Sequence, residues 1–227
     1  MDENKYILKT IATKCILIYI LVTLVAAPII YMTIVKVANL DSNNYLAQTI
    51  ITFVAYTGLA IAFCILLRKY LFDDIKSFKD KWWLKIIIIL ALVGSIKLME
   101  LFCIWFYGLF GETINGNNQE AVVNNIKENV VLMAFSTCLF APIVEEIIFR
   151  KCIFSYFLKD RFGILVSTLA FSLIHVISSF DFIHILPYLL TGLLLSVSYS
   201  LSKRNIYVPL LAHMIVNTIS FIVICIN

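Results

Sequence analysis

Along the chain, long apolar runs alternate with short polar joints rich in lysine. Seven runs, at 15–37, 46–67, 86–110, 130–157, 162–179, 183–201 and 206–226, fall in or near the range of about 17 to 25 residues that lets a helix cross a bilayer. The pattern predicts an all-α fold, a polytopic membrane helical bundle with about seven transmembrane helices. The fourth run is longer than a bilayer requires, so its helix is expected to tilt or protrude, or to be replaced by two short helices.

Between the runs, two segments differ from plain linkers. Residues 70–85 mix Leu71, Phe72, Ile75, Phe78, Trp82 and Trp83 with lysines and aspartates, the composition of an amphipathic helix at the membrane interface. Residues 111–128 are polar and asparagine-rich and read as a loop or a frayed helix start. The first run is too long for a signal-peptide core and its flanks carry no small-x-small cleavage pattern, so it is expected to stay as an anchor.

Composition sharpens this picture. The 227 residues are 62% hydrophobic and 14% charged, against about 45 to 50% and 25% in soluble domains, so the chain is an integral membrane protein. Placing the joints on alternate sides puts 15 of the 18 basic residues on one side: Lys5, Lys9 and Lys14, the cluster from Arg68 to Lys85, Arg150, Lys151, Lys159, Arg161, Lys203 and Arg204. That side is expected to be cytoplasmic, with the N-terminus inside and the C-terminus outside. The net charge of +4 then reports topology and contact with the lipid bilayer, and no nucleic-acid partner is expected. Six cysteines lie scattered through the apolar runs without C-x-x-C spacing and read as packing residues.

Charge inside the runs carries the candidate chemistry. Glu145, Glu146 and Arg150 lie in the fourth run, where a central charge costs roughly 2.5 to 3.5 kcal/mol and normally pairs or lines a watery cavity. Glu146 and Arg150 are spaced i,i+4 for an ion pair, which leaves Glu145 as the free acid. The later runs hold His175, and His213 with Asn217 a turn apart on one helix face. If the chain turns at Lys159-Asp160-Arg161, Glu145 and His175 each lie 15 residues from Asp160, roughly 20 Å from the turn. Counted from Arg204, His213 and Asn217 rise to about 14 and 20 Å. The four residues converge on one layer within the membrane, and water is expected to reach it from the cytoplasmic side. Lys97 and Glu100 are expected to form a structural ion pair, and His184 to serve an interfacial role beside Asp181.

An acid beside an imidazole can take a proton from water, and His213 with Asn217 can donate hydrogen bonds to a tetrahedral oxyanion. The same set leaves zinc or another divalent metal open as a cofactor, with Glu145, His175 and His213 as ligands, though no H-E-x-x-H occurs. Two readings from other classes stay open: a binding or bacteriocin-immunity protein that does not hydrolyse, and a proton-coupled transporter.

Glu145-Glu146-x-x-x-Arg150, Phe171-x-x-x-His175 and His213-x-x-x-Asn217, in this order on successive late helices, resemble the three motifs of the CPBP (CAAX prenyl protease and bacteriocin-processing, or Abi) intramembrane proteases. The resemblance covers roughly residues 130–227, which it implies are the catalytic core, with 1–129 supplying N-terminal transmembrane helices and a cytoplasmic interfacial segment. It implies a glutamate-dependent endopeptidase in which Glu145 and His175 activate water, His213 and Asn217 form the oxyanion site, and Glu146 and Arg150 support them. The substrates it implies are membrane-associated peptides or proteins, in bacteriocin maturation, self-immunity or cell-surface regulation. Richness in Ile, Lys and Asn suggests a bacterial plasma membrane and substrates without a prenyl group.

Overall fold

Proline placement explains the first break in the bundle. In a computed structural model, which describes residues 3–41, 43–114 and 116–226, the chain enters as α1 (Glu3–Ile20), passes through a π turn (Leu21–Ala26) and continues as α2 (Ala27–Val37). Pro28 stands in the first turn of α2, and the wider π turn ahead of it accommodates a residue that cannot donate to the ladder. Residue 15 was the expected start of this span. The helix begins earlier because Ala12 and Cys15 are buried and α1 packs on the segment 147–152 of the fourth span. The side chain of Lys5 lies outside the described ones.

Next come α3 (Tyr45–Leu66), α4 (Arg68–Lys79), α5 (Trp82–Gly108) and α6 (Asn117–Glu128). α4 takes up residues 70–79 of the segment expected to form an amphipathic helix, while Trp82 and Trp83 open α5. α4 exposes Phe72 and docks its other face through Asp74, which pairs with Lys151 at 2.6 Å and accepts from the Ile206 N–H. Of the segment 111–128, expected as a loop or a frayed helix start, residues 117–128 form α6, and Asn115 lies outside the described residues. The α6 sequence is weakly helical, and tertiary docking decides the matter. Asp181 accepts from the Asn117 N–H, Glu120 and Lys127 suit the two helix ends, and Asn125 and Ile126 are buried beside α3.

The fourth span is one continuous helix. α7 (Val130–Phe135), a π segment (Ser136–Phe140), α8 (Ala141–Glu146), a second π segment (Ile147–Cys152) and α9 (Ile153–Ser155) follow without a gap. Pro142 opens α8 after the first π segment, as Pro28 does in α2. α10 (Asp160–Val176), a 3₁₀ turn (Phe182–His184), α11 (Ile185–Leu201) and α12 (Tyr207–Ile226) complete the chain. Among the described residues, six helices are long and apolar enough to cross a membrane. The expected span not among them is the fifth, α10, whose 17 residues reach about 26 Å, a little under the hydrocarbon thickness.

The fold is thus an all-α polytopic bundle. One apolar core joins α1, α3, α8, α9 and α10 around Phe63, Val144, Phe154 and Phe171, and a second joins α5 to α11 and α12 around Leu92, Leu195 and Ala212. Arg150 and Lys151 belong to the interior, buried and paired, rather than to a loop. The charge asymmetry of the joints then rests on 13 basic residues.

At the basic end, Asp160 ties two helix hairpins together. It accepts from Arg204 Nε at 3.0 Å and from the Ser200 hydroxyl, and these donors hold its carboxyl below the usual carboxylate range. The stabilisation is present at neutral pH and disappears as pH falls through the lowered value. Because the side chain is 36% exposed, Asp160→Asn should cost no more than about 1 kcal/mol at pH 7. Thermal melts of the two proteins should converge in acid, and a constant gap down to pH 3 would contradict the assignment.

Candidate active site

Glu145 and Glu146 end α8, between the two π segments, and π turns within α-helices often mark functional sites. Glu146 and Arg150 are both fully buried, with Arg150 Nε 3.2 Å from Glu146 Oε2. The contact is a close charge pair without an aligned hydrogen bond. The guanidinium also donates to the Gly192 carbonyl at 3.4 Å and lies 4.8 Å from the centre of the Phe171 ring, so an aromatic face helps to hold the cation. Gly192 permits this approach: a Cβ there would come within 3.0 Å of Phe171 Cδ1.

The second carboxylate oxygen fixes an imidazole. His213 Nδ1 donates to Glu146 Oε1 at 2.8 Å, while its Nε2 lies 3.8 Å from Glu145 Oε2. That separation is too long for a direct hydrogen bond and suits a bridging water or substrate oxygen. Burial of Ala212 and Val216 on the same face of α12 anchors the helix so that His213 enters the bundle interior. One turn further, Asn217 Nδ2 donates to the Thr137 carbonyl at 2.9 Å. Thr137 lies in the first π segment.

α10 supplies His175. Its Nδ1 donates to the Phe171 carbonyl at 2.7 Å, so in the neutral ring Nε2 carries the lone pair. Phe171 is the common neighbour of the site. Its ring lies 4.6 Å from His175, 6.1 Å from His213 and 5.4 Å from Phe149, centre to centre.

Glu145, His175, His213 and Asn217 line one cavity of about 1150 Å³. The structure therefore brings together the four residues singled out in the sequence, with Glu146 and Arg150 directly behind them. Two features differ from expectation. First, the imidazole with a nitrogen within 4 Å of a Glu145 oxygen belongs to His213, because Glu146 holds that ring in place. Secondly, the cavity does not lead to the basic side. Its walls are the second half of α1 with α2, the first half of α3, the end of α5, α6, the end of α10, the start of α11 and the far half of α12. These segments all belong to the end of the bundle opposite the lysine-rich joints. Helical rise brings the four residues to one level along the bundle, but it does not encode the side on which the helices splay.

Several cavity residues carried no sequence signal. Tyr19, Tyr56 and Tyr188 line the cavity together with Glu145. Phe171 stood in a quoted motif without an expected role. The Lys97–Glu100 pair forms at 2.7 Å and extends to the Ser220 hydroxyl at 2.8 Å, all three on the cavity wall. His184 pairs with Asp181 at 2.7 Å, beside α6. The Cys152 thiol is fully buried.

Each imidazole donates through Nδ1, to Glu146 or to the Phe171 carbonyl, and keeps its Nε2 available. Among the described residues no three His, Cys, Asp or Glu side chains are placed to hold an ion.

A family model described as type II CAAX prenyl endopeptidase, Rce1-like, matches residues 127–219. The putative membrane peptidase YdiL of Bacillus subtilis is 29% identical over 81% of this chain and 74% of its own length. The membrane-embedded CAAX protease MroQ of Staphylococcus aureus is 28% identical over 61% of this chain and 53% of its own. An uncharacterised protein of Mycoplasma capricolum is 34% identical over 47% of this chain, a match that spans about a third of the relative, 34% of its length. No solved structure matches the chain.

Removing one partner of the buried pair leaves a charge without compensation, so Arg150→Ala should destabilise the protein by about 3 to 5 kcal/mol. Replacing both, as Glu146→Gln with Arg150→Met, should recover most of that loss. Thermal unfolding in detergent reads both, and a double variant as unstable as Arg150→Ala would contradict a charge-pair origin.

Proposed function

We propose, from the likeness of residues 127–219 to the Rce1-like family of CAAX endopeptidases and of the chain to membrane peptidases, that this protein is an intramembrane endopeptidase using Glu145 as its general base. The observation that supports this most is the 3.8 Å gap between Glu145 Oε2 and His213 Nε2, set in a cavity shared with His175 and Asn217. A water in that region gives one proton to Glu145 and hydrogen-bonds to the bare Nε2 of His175, and its oxygen attacks the peptide carbonyl. The oxyanion that forms accepts from the Asn217 Nδ2 proton not used by Thr137.

His213 is the second donor, and its charge follows from a count. Glu145 and Glu146 bring two negative charges and Arg150 one positive, so a His213 protonated on both nitrogens makes the buried group neutral. Glu146 supports that imidazolium through Nδ1, and Nε2–H is then free to donate to the oxyanion. As the tetrahedral intermediate collapses, Glu145 passes its proton to the leaving amine.

With the basic joints cytoplasmic, the cavity faces the outer leaflet side of a bacterial plasma membrane. Its substrates are then peptides or membrane-protein segments presented from outside, without a prenyl group, and bacteriocin-like and cell-surface peptides have this character. Residues 130–227 carry the chemistry, and 1–129 contribute the cavity walls from α1, α3, α5 and α6.

Purified protein in lipid nanodiscs should cleave such a reporter. Glu145→Gln and His175→Ala should each lower kcat by about 100- to 10,000-fold, and Asn217→Ala by about 100- to 1,000-fold, with thermal stability retained. Cleavage that persists in Glu145→Gln would overturn the mechanism. Protection against a bacteriocin that survives Glu145→Gln would instead favour a binding role. In sealed proteoliposomes of known orientation, a reporter added on the α6 side should be cut and one confined to the basic side spared.

A further inference from the structure

We propose that the Tyr188 ring is a positioning element for His175, and that the Tyr188 hydroxyl, by accepting from Asn118, separately fastens α6 over the cavity. The proposal rests on the endopeptidase reading above for its catalytic consequence and on the packing alone for its structural one.

His175 packs against two aromatic rings. The Phe171 ring lies 4.6 Å away at 44°, and the Tyr188 ring lies 4.7 Å away at 22°, close to a parallel stack. With Nδ1 bound to the Phe171 carbonyl, rotation about the last side-chain bond would break the hydrogen bond and the stack together. The direction of Nε2 is thereby fixed. Phe171 comes from the same helix one turn earlier, whereas Tyr188 comes from α11.

The hydroxyl of Tyr188 accepts from Asn118 Nδ2 at 3.1 Å, and Asn118 stands in the first turn of α6. The same turn is fastened through the Asn117 N–H to Asp181, and Asp181 in turn accepts from His184. Gly116 lets the chain lie against this pair, since a Cβ there would come within 2.7 Å of Asp181 and His184 atoms. α6 contributes Asn118, Gln119, Val122 and Ile126 to the cavity wall. A polypeptide reaching Glu145 from this end passes α6, so loss of the Asn118–Tyr188 bond should change substrate entry and leave the stacked His175 ring in place.

The test uses the full chain in nanodiscs with variants Y188L, Y188F and N118A. Y188L should lower kcat at least tenfold with KM changed less than twofold, and Y188F, which keeps the stack, should restore most of that kcat. Y188F and N118A should each shift KM by a similar factor, and the double variant should match either single one. A Y188L enzyme with wild-type kcat, a Y188F enzyme as impaired as Y188L, or additive KM effects would overturn the proposal. If Y188L does not fold, Tyr188→Met takes its place.

A second readout needs no activity: carbethoxylation of His175 by diethyl pyrocarbonate, located by mass spectrometry. Y188L should be modified several-fold faster than wild type and Y188F at the wild-type rate. Equal rates in wild type and Y188L would overturn the stack. Absence of cleavage by the wild type would defeat the endopeptidase reading while this readout still decides the packing.

Discussion

Two opposite charges without access to water constrain everything packed around them, and Glu146 with Arg150 form such a pair inside this bundle. Each group must meet its remaining needs from its surroundings, because desolvation of either ion alone is prohibitive. Arg150 does so through the Gly192 carbonyl and the Phe171 face, and Glu146 through His213. These contacts join the fourth span to α10, α11 and α12. The pair therefore acts as the connector that turns three separate motifs into one site, and its value lies in orientation more than in net stability.

Orientation is then handed outward in two steps. Glu146 binds Nδ1 of His213 and leaves Nε2 directed towards Glu145, and the Phe171 carbonyl does the same for His175. In both rings the nitrogen nearer the backbone is committed and the distal one is left for chemistry. The π segments contribute by geometry. Each widens the helix on one side of the Glu145–Glu146 pair, and the first carries Thr137, whose carbonyl receives Asn217. Aromatic packing around Phe171 completes a rigid frame on which the acid, the two imidazoles and the amide are held.

Much of this was legible in the chain because charge in an apolar run is costly and therefore informative. Glu145, Glu146, Arg150, His175, His213 and Asn217 stood out for that reason, and helical rise placed them at one depth. What depends on packing was not legible. α6 has a polar, asparagine-rich sequence and becomes a helix through Asp181, Thr49 and its buried Asn125. α10 forms with a length just below that expected of a span. Lys151 read as a joint residue until its partner Asp74 came from α4. Tyr19, Tyr56 and Tyr188 looked like ordinary span aromatics, since nothing in local spacing distinguishes a cavity wall from a lipid-facing surface. The side on which the cavity opens follows from how the helices splay, which periodicity does not encode.

The central claim is that the buried Arg150–Glu146 pair fixes the His213 ring with Nδ1 as the permanent donor and Nε2 as the working nitrogen. Nitrogen-15 NMR of protein labelled at histidine, assigned by His175→Gln and His184→Gln variants, reports this directly. His213 should show its proton on Nδ1, bonded to Glu146, and Glu146→Gln should abolish that preference. A neutral His213 ring protonated at Nε2, or one whose tautomer is unchanged in Glu146→Gln, would contradict the account.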